Sequence, residues 1–150
     1  MQLTKFTDYA LRVLMFLGEH QGLATIRQIA AAYDVSESHL MKVVQALARE
    51  GYIEARRGNG GGMRLSRAPD DITLGAVVRS MEQTLHVVDC LADHSRGECR
   101  MARGCPLKLP FKSAQAAFLE HLDGYTLRDM LPMHGPMRAQ RHSQRAENSR

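Results

Sequence analysis

"DVSESHLMKVVQALAREGYIEARRGNGGGMRLS", residues 34–66, changes its period halfway along. In the first half Leu40, Val43, Val44 and Leu47 recur at spacings of three and four, the pattern of a helix that buries one face. Ser36 stands where an N-cap is wanted, and Gly51 where the chain needs a left-handed residue to leave the helix. In the second half "YIEA" (Tyr52 to Ala55) and "MRLS" (Met63 to Ser66) alternate as strands do, and "RRGNGGG" between them reads as a flexible turn. A helix followed directly by a β-hairpin is the kernel of a winged helix.

Working towards the N-terminus, "DVSESHL" turns the chain out of a shorter helix. Thr25 with Gln28 three residues later fits a capping box, and Ile26, Ile29 and Ala30 carry that helix to about Tyr33. Before it, Phe6, Tyr9, Ala10, Val13, Leu14 and Leu17 form the stripe of a first helix. The short helix, tight turn and longer helix make a helix-turn-helix.

Towards the C-terminus, Thr73 can cap a helix through Leu74, Val77, Val78 and Met81. Pro106 suits the first position of a long helix with the stripe Leu107, Phe111, Ala114, Phe118 and Leu122, and Pro110 falls near its first turn. Ala117 and Leu119 give that helix a second apolar edge, more than one small domain can cover, so a partner subunit is expected. Thr126 caps a short "LRDML" helix. From Pro132, "PMHGPMRAQRHSQRAENSR" has no periodicity and four Arg against one Glu, and reads as a disordered basic tail.

The expected class is thus mainly α with a small β-hairpin: a winged helix-turn-helix plus a long C-terminal dimerisation helix. Its expected divisions are 1–82 for DNA binding, 83–106 for a cluster-binding loop, 107–131 for the dimerisation helix and short terminal helix, and 132–150 for the tail.

Composition agrees with a globular chain of about one domain: 150 residues, 44% hydrophobic and 24% charged. No apolar run approaches the roughly 18 residues of a membrane span. The N-terminal stretch has one early Lys, an acid at Asp8 and no small-residue cleavage site, so it reads as a helix and not a signal peptide, and a cytoplasmic location is expected. No nucleophile elbow, phosphate loop or dinucleotide fingerprint occurs, which argues against an enzyme.

A net charge of +4 becomes informative once it is localised. Residues 55–69 hold Arg56, Arg57, Arg64 and Arg67 and no acid, whereas eight acids face seven bases over residues 71–131. Glycines such as Gly60 and Gly61 let the turn approach a phosphate or a narrow groove, and the arginines supply charge. The third helix offers Ser36, Glu37, Ser38, His39, Lys42 and Gln45 from the part of a recognition helix that reaches base edges. Each feature alone is shared with structural domains. Together, in this order, they point to double-stranded DNA. The residues expected at that interface are Ser36, Ser38, His39, Lys42, Arg56, Arg57, Gly60, Gly61 and Arg64.

All three cysteines, Cys90, Cys99 and Cys105, lie in "DCLADHSRGECRMARGCP", residues 89–106. An odd number of cysteines without a secretory signal argues for metal or thiol chemistry over a disulfide framework. Structural zinc sites bring cysteines in pairs two to four residues apart, whereas the gaps here are eight and five residues. That spacing suits an iron-sulfur cluster better, with zinc and inert thiols as alternatives. Arg96, Arg100 and Arg103 favour thiolates and offset an anionic cluster. Asp89, Asp93, His94 and Glu98 are all eligible as a fourth ligand, and Asp8 alone reads as an acid placed to suit the helix dipole.

The start "MQLTKFTDYALRVLMFL", the wing "RRGNGGGMRLS" and three cysteines before "PLK" closely resemble the winged-helix iron-sulfur transcription regulators, and among them the nitric-oxide-sensing repressors. The resemblance runs from Met1 to about Leu131. It implies a homodimer on palindromic promoter DNA, third helices in major grooves and wings in minor grooves. It also implies a cluster on Cys90, Cys99 and Cys105, 4Fe-4S or alternatively 2Fe-2S, with Asp8 of the partner subunit as fourth ligand and release from DNA when nitric oxide nitrosylates the cluster. Related regulators of iron-sulfur homeostasis carry a histidine soon after the last cysteine. Here Pro106, Leu107 and Lys108 follow, which favours the nitric oxide sensor. The rivals are the same architecture sensing cluster supply or oxidants and, in a different class, a cluster-carrying redox protein.

Overall fold

Hydroxyl side chains start most of the helices. In the computed structural model, which describes residues 2–58, 60–88, 91 and 105–131, Thr4 Oγ1 accepts from the Thr7 N–H at 3.3 Å and opens α1 (Lys5–Glu19). Thr25 and Gln28 form the expected capping box of α2 (Ile26–Tyr33), the Thr25 N–H donating to Gln28 Oε1 at 2.7 Å. Ser36 caps α3 (Glu37–Arg49) and Thr73 caps α4 (Leu74–Met81). Each hydroxyl satisfies a backbone donor that the first helical turn leaves unpaired.

α3 ends as its glycine requires. Gly51 has φ +71°, its N–H donates to Ala48 O at 3.1 Å, and the Tyr52 N–H reaches back to Leu47 O at 2.9 Å. This pair of bonds is the Schellman arrangement. It spends the Tyr52 N–H on the helix, so β1 begins one residue later than the alternation suggests, at Ile53, and runs to Arg56. β2 is Gly62–Leu65, antiparallel to β1 with Ile53 opposite Leu65 and Arg56 opposite Gly62. The turn therefore shortens to residues 57–61.

A third segment joins the hairpin. Ala24, just ahead of α2, exchanges hydrogen bonds with Met63, N to O at 2.9 Å and O to N at 2.7 Å. The contact is close enough that a side chain at Gly62 would lie 2.8 Å from Ala24 O. The wing is thereby fastened to the helix-turn-helix.

The core gathers Val13, Leu14 and Leu17 of α1, Ile29 of α2, Leu40, Val43 and Leu47 of α3, and Val77 and Met81 of α4. After a short 3-10 turn at Pro69–Asp71, the strand-like stretch before α4 meets the far end of the chain. The Leu127 N–H donates to Ile72 O at 2.7 Å and the Leu74 N–H to Tyr125 O at 2.9 Å. α6 (Leu127–Met130) is held by Asp129, whose carboxylate accepts from the Thr126 N–H and hydroxyl at 2.8 and 2.9 Å. Leu127 is fully buried and Leu131 packs over Gly18 of α1. Leu127→Ala is expected to lower stability by about 3 kcal/mol in denaturant unfolding, since it removes a buried side chain that nothing flexible can replace.

α5 (Lys108–Asp123) starts two residues later than expected. Pro106 and Leu107 lie in the turn before it, where the Lys108 N–H donates to Cys105 O at 3.3 Å. Pro110 falls in the first helical turn, where no N–H is missed. Of the expected stripe, Phe111, Phe118 and Leu122 are half-buried while Leu107 and Ala114 are exposed. The buried residue is Leu119, from the edge read as secondary. The helix thus turns Leu119 to its own chain, and Arg79 of α4 clasps Asp123 through two 2.6 Å hydrogen bonds. Leu107 and Leu109 stay 59% and 75% exposed. Within one chain this helix is only partly covered.

Candidate nucleic-acid interface and metal ligands

Burial of Leu40, Val43, Val44 and Leu47 fixes which side of α3 looks outward. Ser38, Met41, Lys42, Gln45 and Arg49 share the exposed side at helical spacing. Ser36 and His39 stand at its N-terminal end, where the Ser36 hydroxyl contacts His39 Nδ1 at 2.9 Å. That contact turns His39 towards the cap. Arg27 of α2 lies 3.6 Å from Glu37, so the first turn of α3 also leans on its neighbour.

The wing carries the charge differently from what sequence alone implies. Arg64 is paired with Glu54 directly across the two strands. Arg67 donates to Glu50 O at 3.0 Å and lies over the buried Tyr52 ring, 4.9 Å from its centroid. It braces the junction of α3 and β1 instead of reaching outward. Arg56 and Arg57 are exposed and have no ion-pair or hydrogen-bond partner among the described residues. The turn they enter needs its glycines: Gly58 and Gly60 have φ +103° and +75°, and a side chain at Gly61 would collide with Arg56 O and Gly58 O. Two unengaged arginines at the mouth of a glycine-rich turn leave the wing's free cationic charge at its tip.

Of the expected metal ligands, Cys105 is a half-buried free thiol just before α5, and Cys90 and Cys99 lie outside the described residues. The basic tail from 132 lies outside them as well. Among the described residues no three ligand side chains gather. Asp8 stands half-exposed on α1, its Oδ2 accepting from Arg12 Nε at 2.9 Å. The Arg12 guanidinium in turn lies 5.8 Å from the ring centroid of Tyr33, the last residue of α2. Burial raises the Tyr33 pKa, aided by Glu19 and opposed by Arg12. At the start of α1, the Thr4 N–H and hydroxyl donate to Glu82 Oε1 at 2.7 and 3.0 Å. Glu82 is the residue at which α4 gives way to the cysteine-bearing segment. The first helix is thus tied at one end to that segment's entrance and, through Arg12, to the turn that leads into α3. A thiolate and an accessible carboxylate are donors that iron accepts. Cys105 and Asp8 carry such donor groups, so the side chains present fit iron.

An outward-facing helix with a basic, glycine-tipped hairpin fastened to it defines a winged-helix DNA-binding protein. The chain belongs to the Rrf2 family, described as iron-dependent transcriptional regulators, whose sequence profile matches residues 3–133. It is 46% identical over 141 residues to the HTH-type transcriptional regulator NsrR of Geobacillus kaustophilus, spanning 93% of this chain and 95% of that protein. It is 47% identical over 133 residues to NsrR of Bacillus subtilis, spanning 87% and 90%. Among solved structures, CymR, the global cysteine regulator of B. subtilis, superposes with a TM-score of 0.68 at 28% identity, over 87% of this chain and 95% of that one. The chain is a transcription regulator and not an enzyme. No described helix is long and apolar enough to cross a membrane.

Proposed function

We propose that this regulator is a nitric-oxide-responsive repressor, acting in the cytoplasm as a homodimer on palindromic promoter DNA. Cys90, Cys99 and Cys105 of one subunit and Asp8 of the other would hold an iron-sulfur cluster, 4Fe-4S in the first instance. The observation that carries this reading is the position of Asp8: half-exposed, engaged by Arg12, and one side chain away from the end of α2. Similarity to regulators named NsrR supports the signal.

When bound, the cluster supplies an iron open to attack by nitric oxide. The rest is done by this chain's residues. Engagement of Asp8 at the partner's site would draw its carboxylate away from Arg12 and leave that guanidinium to Tyr33. Without that engagement Arg12 holds Asp8, as seen here, and α1 has no tie to the second subunit. Two recognition helices must match half-sites about 34 Å apart or a multiple of it, so a small rotation of one reading head sacrifices much of the affinity. Exposed Leu107, in the turn before α5, and Leu109, in its first turn, would supply apolar surface for the subunit contact.

The test is anaerobic purification followed by native mass measurement, visible absorption and promoter binding, with nitric oxide added stepwise. The expected result is a dimer that loses operator affinity tenfold or more as the absorption bleaches, a coupling within the range usual for two linked sites. Full affinity after complete bleaching would refute nitric oxide control. A response to peroxide or cluster supply in its place would move the protein to the rival reading.

A further inference from the structure

Met41 lies in the middle of the outward side of α3, with Ser38 one turn before it, Lys42 beside it and Gln45 one turn after it. It is 47% exposed, and among the described large hydrophobic side chains only Leu107 and Leu109 are more exposed. Those two flank the half-covered start of α5, Leu107 in the turn before it and Leu109 in its first turn. Met41 has no such setting: the exposed residues within one turn of it, Glu37, Ser38, Lys42 and Gln45, are polar or charged, and its own chain leaves its side chain half exposed.

We propose that Met41 is a specificity-determining residue that recognises thymine through its 5-methyl group. The inference rests on α3 entering the major groove. There the thymine methyl is the one apolar group that a base edge presents, and the other base edges offer hydrogen-bond donors and acceptors. A thioether side chain can offer a base edge no strong hydrogen bond, so its only favourable target in the groove is that methyl. Methionine is also unbranched and polarisable, and moulds itself to a small apolar target better than a β-branched residue does. Gln45, about 6 Å further along the helix axis, carries an amide that matches the N6 and N7 edge of adenine. The face therefore favours a half-site with a thymine close to an adenine, with Lys42 positioned for charge.

The test uses a duplex selected from a randomised pool by the wild-type protein, with each thymine replaced in turn by uracil, which lacks only the methyl. Wild type is expected to lose about fourfold in affinity per half-site at one symmetric pair of positions, the size of one buried methyl-sized group. Met41→Ala should show no loss at that pair, and Met41→Leu should keep most of it. If Met41→Ala suffers the same uracil penalty as wild type while Lys42→Ala still weakens binding, α3 reads DNA and Met41 does not. If neither the uracil substitutions nor Lys42→Ala and Met41→Ala change affinity, α3 does not enter the groove and the inference falls with it.

Discussion

Replacing Arg56 and Arg57 together by alanine is expected to weaken binding to any duplex by about 30-fold at 0.15 M salt and to lower the log-log salt slope by about 2. Each phosphate contact releases close to one counterion, which corresponds to a factor of between about 5 and 6 from 1 M down to 0.15 M salt. Two contacts multiply. The estimate applies to these two arginines because neither has a partner within the described residues to give up, so their charge is available to DNA without loss elsewhere. Arg64→Ala should change the slope less, since Arg64 already faces Glu54 and its removal exposes that acid. Arg67→Ala should act mainly on stability, through Tyr52 and Glu50 O. Equal slope changes for all four arginines would mean that the ion pairs open on binding and that the wing contacts DNA along its whole length.

That division of labour was not legible in the sequence, where the four arginines look alike. What the sequence does encode is local. A hydroxyl three residues ahead of a donor, a glycine four residues past the end of an apolar stripe and a change of period from helical to alternating each specify backbone conformation within a few residues, and the caps at Thr25, Ser36 and Thr73 and the left-handed Gly51 follow directly. Partners distant along the chain leave no such trace. The Ala24–Met63 pairing spans residues with no shared pattern, although Gly62, the first residue of β2, is the residue whose missing side chain permits it. Likewise the return of Leu127 to Ile72 depends on where the chain has travelled in between.

For α5 the periodicity identified residues sharing a face but not which face the monomer covers. A helix with two apolar edges has two solutions, and packing against α4 selects Leu119. The same limit governs the candidate sites. Serines, a lysine and arginines near a glycine turn can be listed from sequence as eligible for DNA, and all of those described lie exposed. Met41 escapes such a list because an apolar residue in a helix is first assigned to the core. Only the position of its neighbours shows that it faces out.

Cys105→Ser is expected to give a folded protein that is purified with little iron, binds the operator tenfold or more weaker than iron-loaded wild type, and no longer responds to nitric oxide. The substitution is nearly isosteric, and the backbone groups that start α5 are unaffected, since the Lys108 N–H bonds to Cys105 O and not to the thiol. Thermal stability of the iron-free forms should therefore match within error. A serine hydroxyl is a far poorer ligand for iron than a thiolate, because it must lose a proton that it holds much more tightly. Asp8→Ala separates the two halves of the site. It leaves the three thiols intact, so much of the iron should remain, but it removes the proposed fourth ligand and, in either state, the carboxylate that holds Arg12 beside Tyr33. Its affinity for the operator should then depend less on iron than that of wild type. The two variants together distinguish ligation from signalling: loss of iron with Cys105→Ser but an unchanged iron-dependent affinity with Asp8→Ala would leave the cysteine segment as a metal site and remove Asp8 from the path to the recognition helix.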